Sequence, residues 1–193
     1  MSKEQNFRTL TPNIDPEPRE ATYLGTVDIF HIRYLDQNIL KGERERVLRL
    51  IRQVIPFASP MEVGSTAADG VLGKQDLDFA VRVSASRFYE AQCNLDSHFS
   101  RIERLQPVVG YQRYFVHSQL DVSIHLIVSG GNHDSEFERF LRLLLTNNRL
   151  RIAYNKLKIA WNGRPMNQYR RAKKTFIESA LSKANEFKDA RLI

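Results

Sequence analysis

Hydrophobic positions along the chain repeat first at helical and then at strand spacing. Between Ile39 and Val54 apolar side chains recur every three or four residues among Arg and Glu, which predicts an amphipathic helix that ends at Pro56. A short apolar run at 61–63 predicts a first strand. At 77–83 every odd position is apolar, as a strand with one buried face requires, so a second strand is predicted there.

The remainder of the chain continues with one helix, two strands and then helices. Apolar residues lie seven, four and three apart from Phe88 to Ile102, and this spacing predicts a helix. Two strands separated by a turn are predicted at 111–118 and 119–129, the latter with its apolar residues at even positions. From Ser135 onward the period is helical. Strands followed by helices predict an α+β fold.

This order of elements also predicts how the chain is divided. We expect a single domain over 21–193, with a strand-rich core at about 57–130 and a helical C-terminal part at about 134–188. The segment 1–20 contains three prolines among polar residues, which predicts a flexible N-terminal arm outside the core.

Composition limits the environment and the partners. Cys93 is the single cysteine, which excludes a disulfide framework and favours a reducing, cytoplasmic location. No stretch approaches the roughly 18 apolar residues of a membrane span, so no membrane association is expected. The 29 Lys and Arg exceed the 22 Asp and Glu and give a formal charge of +7. This charge favours anionic partners such as nucleotides or nucleic acid, although a basic surface that maintains solubility explains it at least as well.

Strand alternation places three aspartates on polar strand faces. Asp76 and Asp78 flank Leu77, so they project together, about 6.8 Å apart along the strand at roughly 3.4 Å per residue. Asp121 has the phase opposite to the apolar residues that follow it. Neighbouring strands lie about 4.8 Å apart, so the three carboxylates converge if the strands pair in the right register. A solvated pair of acids on an exposed strand is the usual alternative.

Three converging carboxylates need cations. They repel one another and raise each other's pKa values unless they are neutralised, so removing one charge is expected to leave stability level or to raise it slightly. Mg²⁺ prefers oxygen ligands, and a pair of such ions activates a nucleophile and stabilises a phosphoanhydride leaving group. We therefore predict magnesium, with manganese as a substitute, at Asp76, Asp78 and Asp121.

A Gly-Ser-Thr segment lies shortly before the aspartates. Gly64 allows the backbone to approach a phosphate, Ser65 supplies a hydroxyl, and the residues from Thr66 onward are expected to open a helix whose free N–H groups favour anions. The same residues are also typical of an ordinary turn. The prediction therefore rests on the conjunction of this segment with the three phased aspartates.

Two other kinds of site, a P-loop and a metal site that includes His125, do not fit the residues. A P-loop ending at Lys74 would need Gly at position 68 and Ser or Thr at position 75, but the sequence has Ala68 and Gln75. His125 lies four residues from Asp121, about 13 Å along a strand, which is too far to share its ion. A packed or hydrogen-bonded histidine is therefore predicted.

The ordered motifs resemble a known family. Gly-Ser, a spacer, Asp-x-Asp and a third acidic residue on a later strand resemble the nucleotidyltransferase superfamily, and within it the chain more closely resembles the GrpB family. The matching residues cover about 60–180 and are Gly64, Ser65, Thr66, Gly70, Lys74, His125, Leu126, Phe137, Phe140, Leu141, Arg142, Tyr154, Leu157, Lys158, Tyr169, Ala172, Lys173, Phe176 and Ile177. The chain departs from the family pattern at Gln75, where Pro is usual, and at Glu138 and Arg139, where Arg-Asp is usual.

The resemblance implies a nucleotidyltransferase-like mixed β-sheet flanked by helices, with a helical C-terminal part. It implies metal-dependent transfer of a nucleoside monophosphate from a nucleoside triphosphate to a hydroxyl or phosphate of a small molecule, RNA or protein. Asp76 and Asp78 would bind metal, and Asp121 would help to deprotonate the acceptor. The nucleotide would be held by Gly64, Ser65, Thr66 and Lys74, with further phosphate or substrate contacts from Arg142, Lys158, Tyr169 and Lys173. The alternative is a non-catalytic nucleotide or nucleic-acid binding module that retains the fold.

Overall fold

A computed structural model describes residues 28–103 and 107–189, with side chains described as far as residue 184. The predicted arm at 1–20 lies outside the described residues. Its flexibility, and the division of the chain at residue 21, therefore stay predictions. No helix within the described ranges is both long and apolar enough to cross a membrane.

The described part of the chain contains short strands and five α-helices in an α+β arrangement. In chain order they are β1 (Ile29–Phe30), α1 (Gln37–Val54), β2 (Ser59–Val63), β3 (Leu77–Val83), α2 (Phe88–Asp96), β4 (Ser100–Ile102), β5 (Tyr111–Val116), β6 (Val122–Val128), α3 (Asn132–Thr146), α4 (Asn148–Trp161), β7 (Arg164–Pro165) and α5 (Met166–Asp189).

The main sheet is mixed. Its five strands have the order β2-β3-β6-β5-β4, in which β3 and β6 are parallel and the other neighbours are antiparallel. The parallel register places Leu77 opposite Val122 and Asp78 opposite Ser123. This arrangement confirms the predicted α+β fold with a mixed sheet flanked by helices.

Both faces of the two central strands are covered. The odd positions of β3 and the even positions of β6 pack in one apolar cluster with residues of α1 and α2. On the opposite face Ala80 and Ile127 pack with residues of α3 and α4, including Phe140, Leu144 and Tyr154. The expectation of a single buried face was therefore too simple, because the C-terminal helices cover the face that also carries the polar residues.

A two-stranded sheet ties the first described segment to the C-terminal helices. β1 pairs antiparallel with β7, and the ring of Phe30 stacks on Tyr169 with centroids 3.7 Å apart. Phe30, Met166 and Tyr169 form a third buried cluster. The segment that follows β1 is thereby held close to the start of α5.

One predicted helix is partly wrong. The helix that begins at Phe88 ends at Asp96 rather than continuing to Ile102. Ser100–Ile102 instead forms the edge strand β4, with Ile102 opposite Arg113 of β5. Pairing with β5 satisfies the backbone of this segment, which the spacing of apolar residues alone does not reveal. The helix predicted between Ile39 and Val54 is confirmed as α1.

Candidate active site

Asp76 and Asp121 lie side by side at the starts of two parallel strands. Each immediately precedes its strand, and the N–H of Leu77 donates to the carbonyl oxygen of Asp121 at 2.8 Å, which fixes the two strand ends together. The amine of Lys74 is 3.5 Å from Oδ2 of Asp76 and 3.5 Å from Oδ2 of Asp121. The structure therefore brings two of the three predicted carboxylates together around one lysine.

Asp78 lies two residues after Asp76, within β3, and contacts a histidine. Its Oδ1 is 3.2 Å from Nε2 of His125, and Nδ1 of His125 is 2.8 Å from the hydroxyl of Tyr111. If the tyrosine hydroxyl donates to Nδ1, the Nε2–H group is directed at the carboxylate. The prediction of a hydrogen-bonded His125 is confirmed, and its partner is one of the candidate site residues.

The environment of Asp78 favours its charged form. Burial opposes ionisation, but the hydrogen bond and electrostatic interaction with His125, together with the positive charges of Arg113 and Lys173, hold the pKa of Asp78 well below its usual range. The predicted rise in pKa applied to carboxylates without neutralising cations, and Asp78 is not such a carboxylate. Side chains supply the neutralising charge.

The three carboxylates do not all converge. Within residues 28–103 and 107–189, no three His, Cys, Asp or Glu side chains are placed to hold one metal ion together. Asp78 pairs with His125, whereas Asp76 and Asp121 face each other across Lys74. In donor chemistry the residues fit a hard divalent cation, because carboxylate oxygens are the ligands that Mg²⁺ prefers.

Gly64 is required by the geometry next to Asp78. Its φ of +83° lies in the left-handed region, and a Cβ added there would lie 3.0 Å from Oδ2 of Asp78. The close approach is therefore to a carboxylate of the chain itself. The residues after Gly64 form turns, with the N–H of Ala68 bonded to Ser65 O at 3.4 Å, so the predicted helix is wrong.

Ser65 and Thr66 connect this loop to the segment that carries Lys74. The hydroxyl of Thr66 donates to the carbonyl oxygen of Asp76 at 2.9 Å. A Cβ added at Gly73 would lie 2.9 Å from Oγ of Ser65, so that hydroxyl faces the backbone just before Lys74. The loop thus supports the backbone on both sides of Lys74.

Lys158 is buried beneath that segment. Its side chain is 1% exposed, its amine donates to the carbonyl oxygen of Leu72, and it lies over the ring of Tyr154. Burial, and then the nearby charge of Lys173, lowers the pKa of Lys158 to about 7. The predicted open contact with a phosphate is not what the structure shows, because the lysine instead supports the backbone from the core side.

The other predicted contacts differ in their placement. Tyr169 is 5% exposed and stacks on Phe30, and burial raises its pKa. Lys173 lies close enough to Asp78 for its charge to lower that carboxyl's pKa. Arg142 is not brought to the site, because its side chain is 67% exposed and pairs with Glu138 at 2.5 Å on the surface of α3.

Two cavities meet at Lys74 and Asp121. We call one the strand cavity, of about 420 Å³, and the other the helix cavity, of about 370 Å³. The strand cavity is also lined by Asp76, Arg101, Arg113, Phe115 and Ser123. The helix cavity is also lined by Asp28, His31, Arg33, Gln75, Met166 and Arg170. Asp121 therefore borders two spaces of substrate size, and Asp76 borders the strand cavity.

Three residues of the site were missed or undervalued in the sequence. His125 has the same phase in its strand as Asp121, and this signal was available. Arg113, whose guanidinium donates to Ser123 Oγ at 2.7 Å, depends on the register of β5, which the sequence does not reveal. Gln75 has a φ of 63°, which a proline cannot adopt, so the departure from the family's Lys-Pro coincides with an unusual backbone.

Comparison with known proteins identifies the family. The pattern of the family described as GrpB protein matches residues 37–183. The chain belongs to the GrpB family. Its fold is similar to the crystal structure of conserved protein GrpB from Enterococcus faecalis, with a TM-score of 0.60, 15% identity, and coverage of 79% of this chain and 98% of that chain. At this identity the likeness between the two GrpB-family chains shows the fold alone.

Larger proteins show a weaker structural similarity to the chain. Cid1 in complex with its short product ApU matches with a TM-score of 0.45 and 15% identity, over 65% of this chain and 40% of that chain. A cytoplasmic RNA terminal U-transferase matches with a TM-score of 0.37 and 20% identity, over 65% of this chain and 36% of that chain. The GrpB-family chain spans less than half of either protein, and such distant likeness carries no argument about activity. No curated protein matches the chain.

Proposed function

We propose that the chain is a metal-dependent nucleotidyltransferase that moves a nucleoside monophosphate from a nucleoside triphosphate to a hydroxyl or phosphate acceptor. The observation that carries this proposal is the pairing of Asp76 and Asp121 at the starts of parallel β3 and β6, where the two cavities meet. Asp78 follows Asp76 by two residues and lies next to the Gly-Ser loop. This is an arrangement suited to phosphoryl chemistry.

The carboxylates are the proposed metal ligands. Asp76 and Asp121 would hold Mg²⁺, or Mn²⁺ in its place, and Asp78 would supply a nearby third carboxylate. The ion, when bound, would supply a Lewis acid for the phosphate oxygens. His125 engages Oδ1 of Asp78 and favours the charged carboxylate that such a role needs.

The helix cavity is the proposed site of the triphosphate. Its lining contains three cations, Arg33, Lys74 and Arg170, against two acids, Asp28 and Asp121. The strand cavity is more balanced, and the guanidinium of its Arg101 already pairs with Asp96. An excess of cations supports binding of a polyanion, because guanidinium and ammonium groups donate several hydrogen bonds to phosphate oxygens.

The acceptor then belongs in the strand cavity, on the other side of Asp121. The acceptor oxygen attacks the α-phosphorus, the bond from that phosphorus to the bridging oxygen breaks, and pyrophosphate leaves. Asp121, whose side chain is 44% exposed and borders both cavities, takes the proton from the acceptor hydroxyl. The identity of this acceptor is open among small molecules, RNA and protein. We place the activity in the cytoplasm, which a single cysteine among 193 residues supports.

One observation favours a second candidate, a non-catalytic nucleotide-binding module. Each of the three carboxylates already has a cationic or hydrogen-bonding partner in the chain: Lys74 for Asp76 and Asp121, and His125 for Asp78. A site neutralised in this way can bind a nucleotide through its basic residues without a metal.

Nucleotide binding with and without magnesium separates the two candidates. For the wild type we expect each bound nucleoside triphosphate to raise the melting temperature more with Mg²⁺ than without it, since ligand at about 100 times its dissociation constant adds about 2.7 kcal/mol of apparent stability. Asp76→Asn should lose the magnesium-dependent part. Glu45→Gln, an exposed charge change on α1, is the matched control. Equal shifts with and without Mg²⁺ would favour the binding module, and no shift with any nucleotide would contradict both candidates.

A further inference from the structure

Lys74 occupies the position between the two facing carboxylates. Its amine is 3.5 Å from an oxygen of Asp76 and 3.5 Å from an oxygen of Asp121, and the three side chains are 25%, 27% and 44% exposed. Ion pairs at this depth are screened less than pairs on an open surface. The lysine therefore neutralises part of the charge that a divalent cation would bind.

The backbone holds Lys74 from both sides. Before it, the carbonyl oxygen of Gly73 accepts a hydrogen bond from the N–H of Arg33 at 2.9 Å. After it, the carbonyl oxygen of Asp76 accepts from the hydroxyl of Thr66 at 2.9 Å. Between these two anchors Gln75 has a φ of 63°, and among the described residues other than glycine it alone has a positive φ. Unfavourable backbone of this kind persists where surrounding contacts fix it, and it occurs most often at functional sites.

Lys74 also lines the helix cavity, where the triphosphate is proposed to bind. Arg33 and Arg170 line the same cavity. A polyanion placed there would attract the amine of Lys74, which is a compact charge on a flexible stem and can change partners without moving its backbone.

We propose that Lys74 is an exchangeable internal cation that makes metal binding conditional on the nucleotide. Without substrate, Lys74 neutralises Asp76 and Asp121. When a triphosphate enters the helix cavity, Lys74 leaves the carboxylates and pairs with phosphate oxygens. The two carboxylates, no longer neutralised by the lysine, then bind the cation that accompanies the nucleotide. This inference rests on the proposed function and adds to it an order of binding.

The exchange predicts opposite effects of one substitution. Lys74→Met keeps the length of the stem and removes the charge, so divalent metal alone should bind more tightly, by about tenfold or more given the strength of unit charges at this range in a partly buried site. The same variant should bind the metal–nucleotide complex less tightly than the wild type, because a phosphate partner is lost. A general structural defect would weaken both.

The experiment uses the full chain and Mn²⁺ as the probe. Binding of Mn²⁺ alone is measured by electron paramagnetic resonance, and binding of each ribonucleoside triphosphate with Mn²⁺ by calorimetry. The variants are Lys74→Met, Lys74→Arg, which retains a cation, and Lys156→Met, which removes an exposed lysine charge from α4 as the control. Far-ultraviolet circular dichroism melting checks that each variant folds. Lys74→Arg and Lys156→Met should bind Mn²⁺ alone about as weakly as the wild type.

The outcomes separate this inference from the proposed function. If Lys74→Met binds Mn²⁺ alone no more tightly than the wild type, the exchange is overturned, even where the wild type binds metal with nucleotide as proposed. If Lys74→Met gains affinity for Mn²⁺ and also for the metal–nucleotide complex, the lysine only repels metal and the exchange is overturned. If the wild type binds no nucleotide with Mn²⁺, the proposed function fails together with the exchange.

Discussion

The buried lysine of α4 should make the stability of the protein depend on pH in a specific direction. Lys158 is 1% exposed, and its pKa is lowered from 10.5 to about 7, first by burial and then by the charge of Lys173. Between these two values the unfolded chain holds a proton that the folded chain has released. Stability therefore rises with pH over this interval, and this group contributes no slope below it, where both states are protonated.

The size of the effect follows from the shift. Each pKa unit corresponds to about 1.4 kcal/mol. Between about pH 7 and pH 9 the lysine should add about 2 kcal/mol to the free energy of unfolding. The gain is smaller than two full units because the lysine of the folded protein is already half deprotonated at the lower pH. Lys158→Met has nearly the same length and no titrating group. The difference in free energy of unfolding between wild type and Lys158→Met should therefore move by about 2 kcal/mol in favour of the wild type over this range.

Urea unfolding at several pH values measures this difference. Lys156→Met is the matched control, because Lys156 is exposed on the same helix and its difference from wild type should stay constant. A constant difference for Lys158→Met between about pH 7 and pH 9 would show that Lys158 keeps its proton in the folded state and would refute the reasoning.

Substitutions at three further positions test the geometry around the carboxylates. Asp78→Asn should lower the free energy of unfolding at neutral pH by about 1–3 kcal/mol, because it removes a charge stabilised by His125. Relief of repulsion between the carboxylates alone would instead leave stability level or slightly higher, so an unchanged urea midpoint would contradict this prediction. Gly64→Ala should lose about 2–3 kcal/mol through its φ of +83° and a Cβ 3.0 Å from Asp78, and a variant as stable as wild type in urea would show that the loop adapts. Gln75→Gly should raise stability by about 0.5–1 kcal/mol by relieving its positive φ, whereas Gln75→Pro should lower it by about 3 kcal/mol or more. The melting temperature should therefore be highest for Gln75→Gly, intermediate for the wild type and lowest for Gln75→Pro. The reverse order would refute this prediction.

Alternation along single strands predicted the strand face of the acidic residues, but not which residues of the neighbouring strands lie beside them. The odd apolar positions of 77–83 placed Asp76 and Asp78 together. In the structure those apolar residues pack in one cluster, and Asp78, at an even position, contacts His125 instead. The parallel pairing of β3 with β6 depends on packing of helices on both faces, which alternation in one strand does not encode.

His125 shows that a prediction from one strand alone leaves out contacts between neighbouring strands. The distance along the strand predicted only that His125 does not share an ion with Asp121. The register places His125 opposite Ala80, two residue pairs beyond Asp78, and strands about 4.8 Å apart bring such diagonal neighbours within reach. The contact between His125 and Asp78 can be predicted only when the parallel register of β3 and β6 is known.

The C-terminal motifs predicted helices well and side-chain placement poorly. Lys158 and Arg142 both match motifs of the family, yet one is buried and the other is 67% exposed on its side chain. Lysine is rarely buried without a partner, so sequence reasoning expects it at a surface. Its burial follows from tertiary contacts with Leu72 and Tyr154 that no local pattern specifies.

Release of pyrophosphate tests the proposed activity most directly. Wild type, Asp76→Asn and the control Glu45→Gln are incubated with Mg²⁺, each nucleoside triphosphate and a panel of hydroxyl acceptors that includes short RNA and the protein itself. Asp76 is partly exposed, so its substitution should leave the fold intact. We expect magnesium-dependent release by wild type and control, and a rate at least about 100-fold lower for Asp76→Asn, since the proposed ligand is lost. Equal rates for wild type and Asp76→Asn, or no release by wild type with any nucleotide and acceptor, would contradict the nucleotidyltransferase assignment.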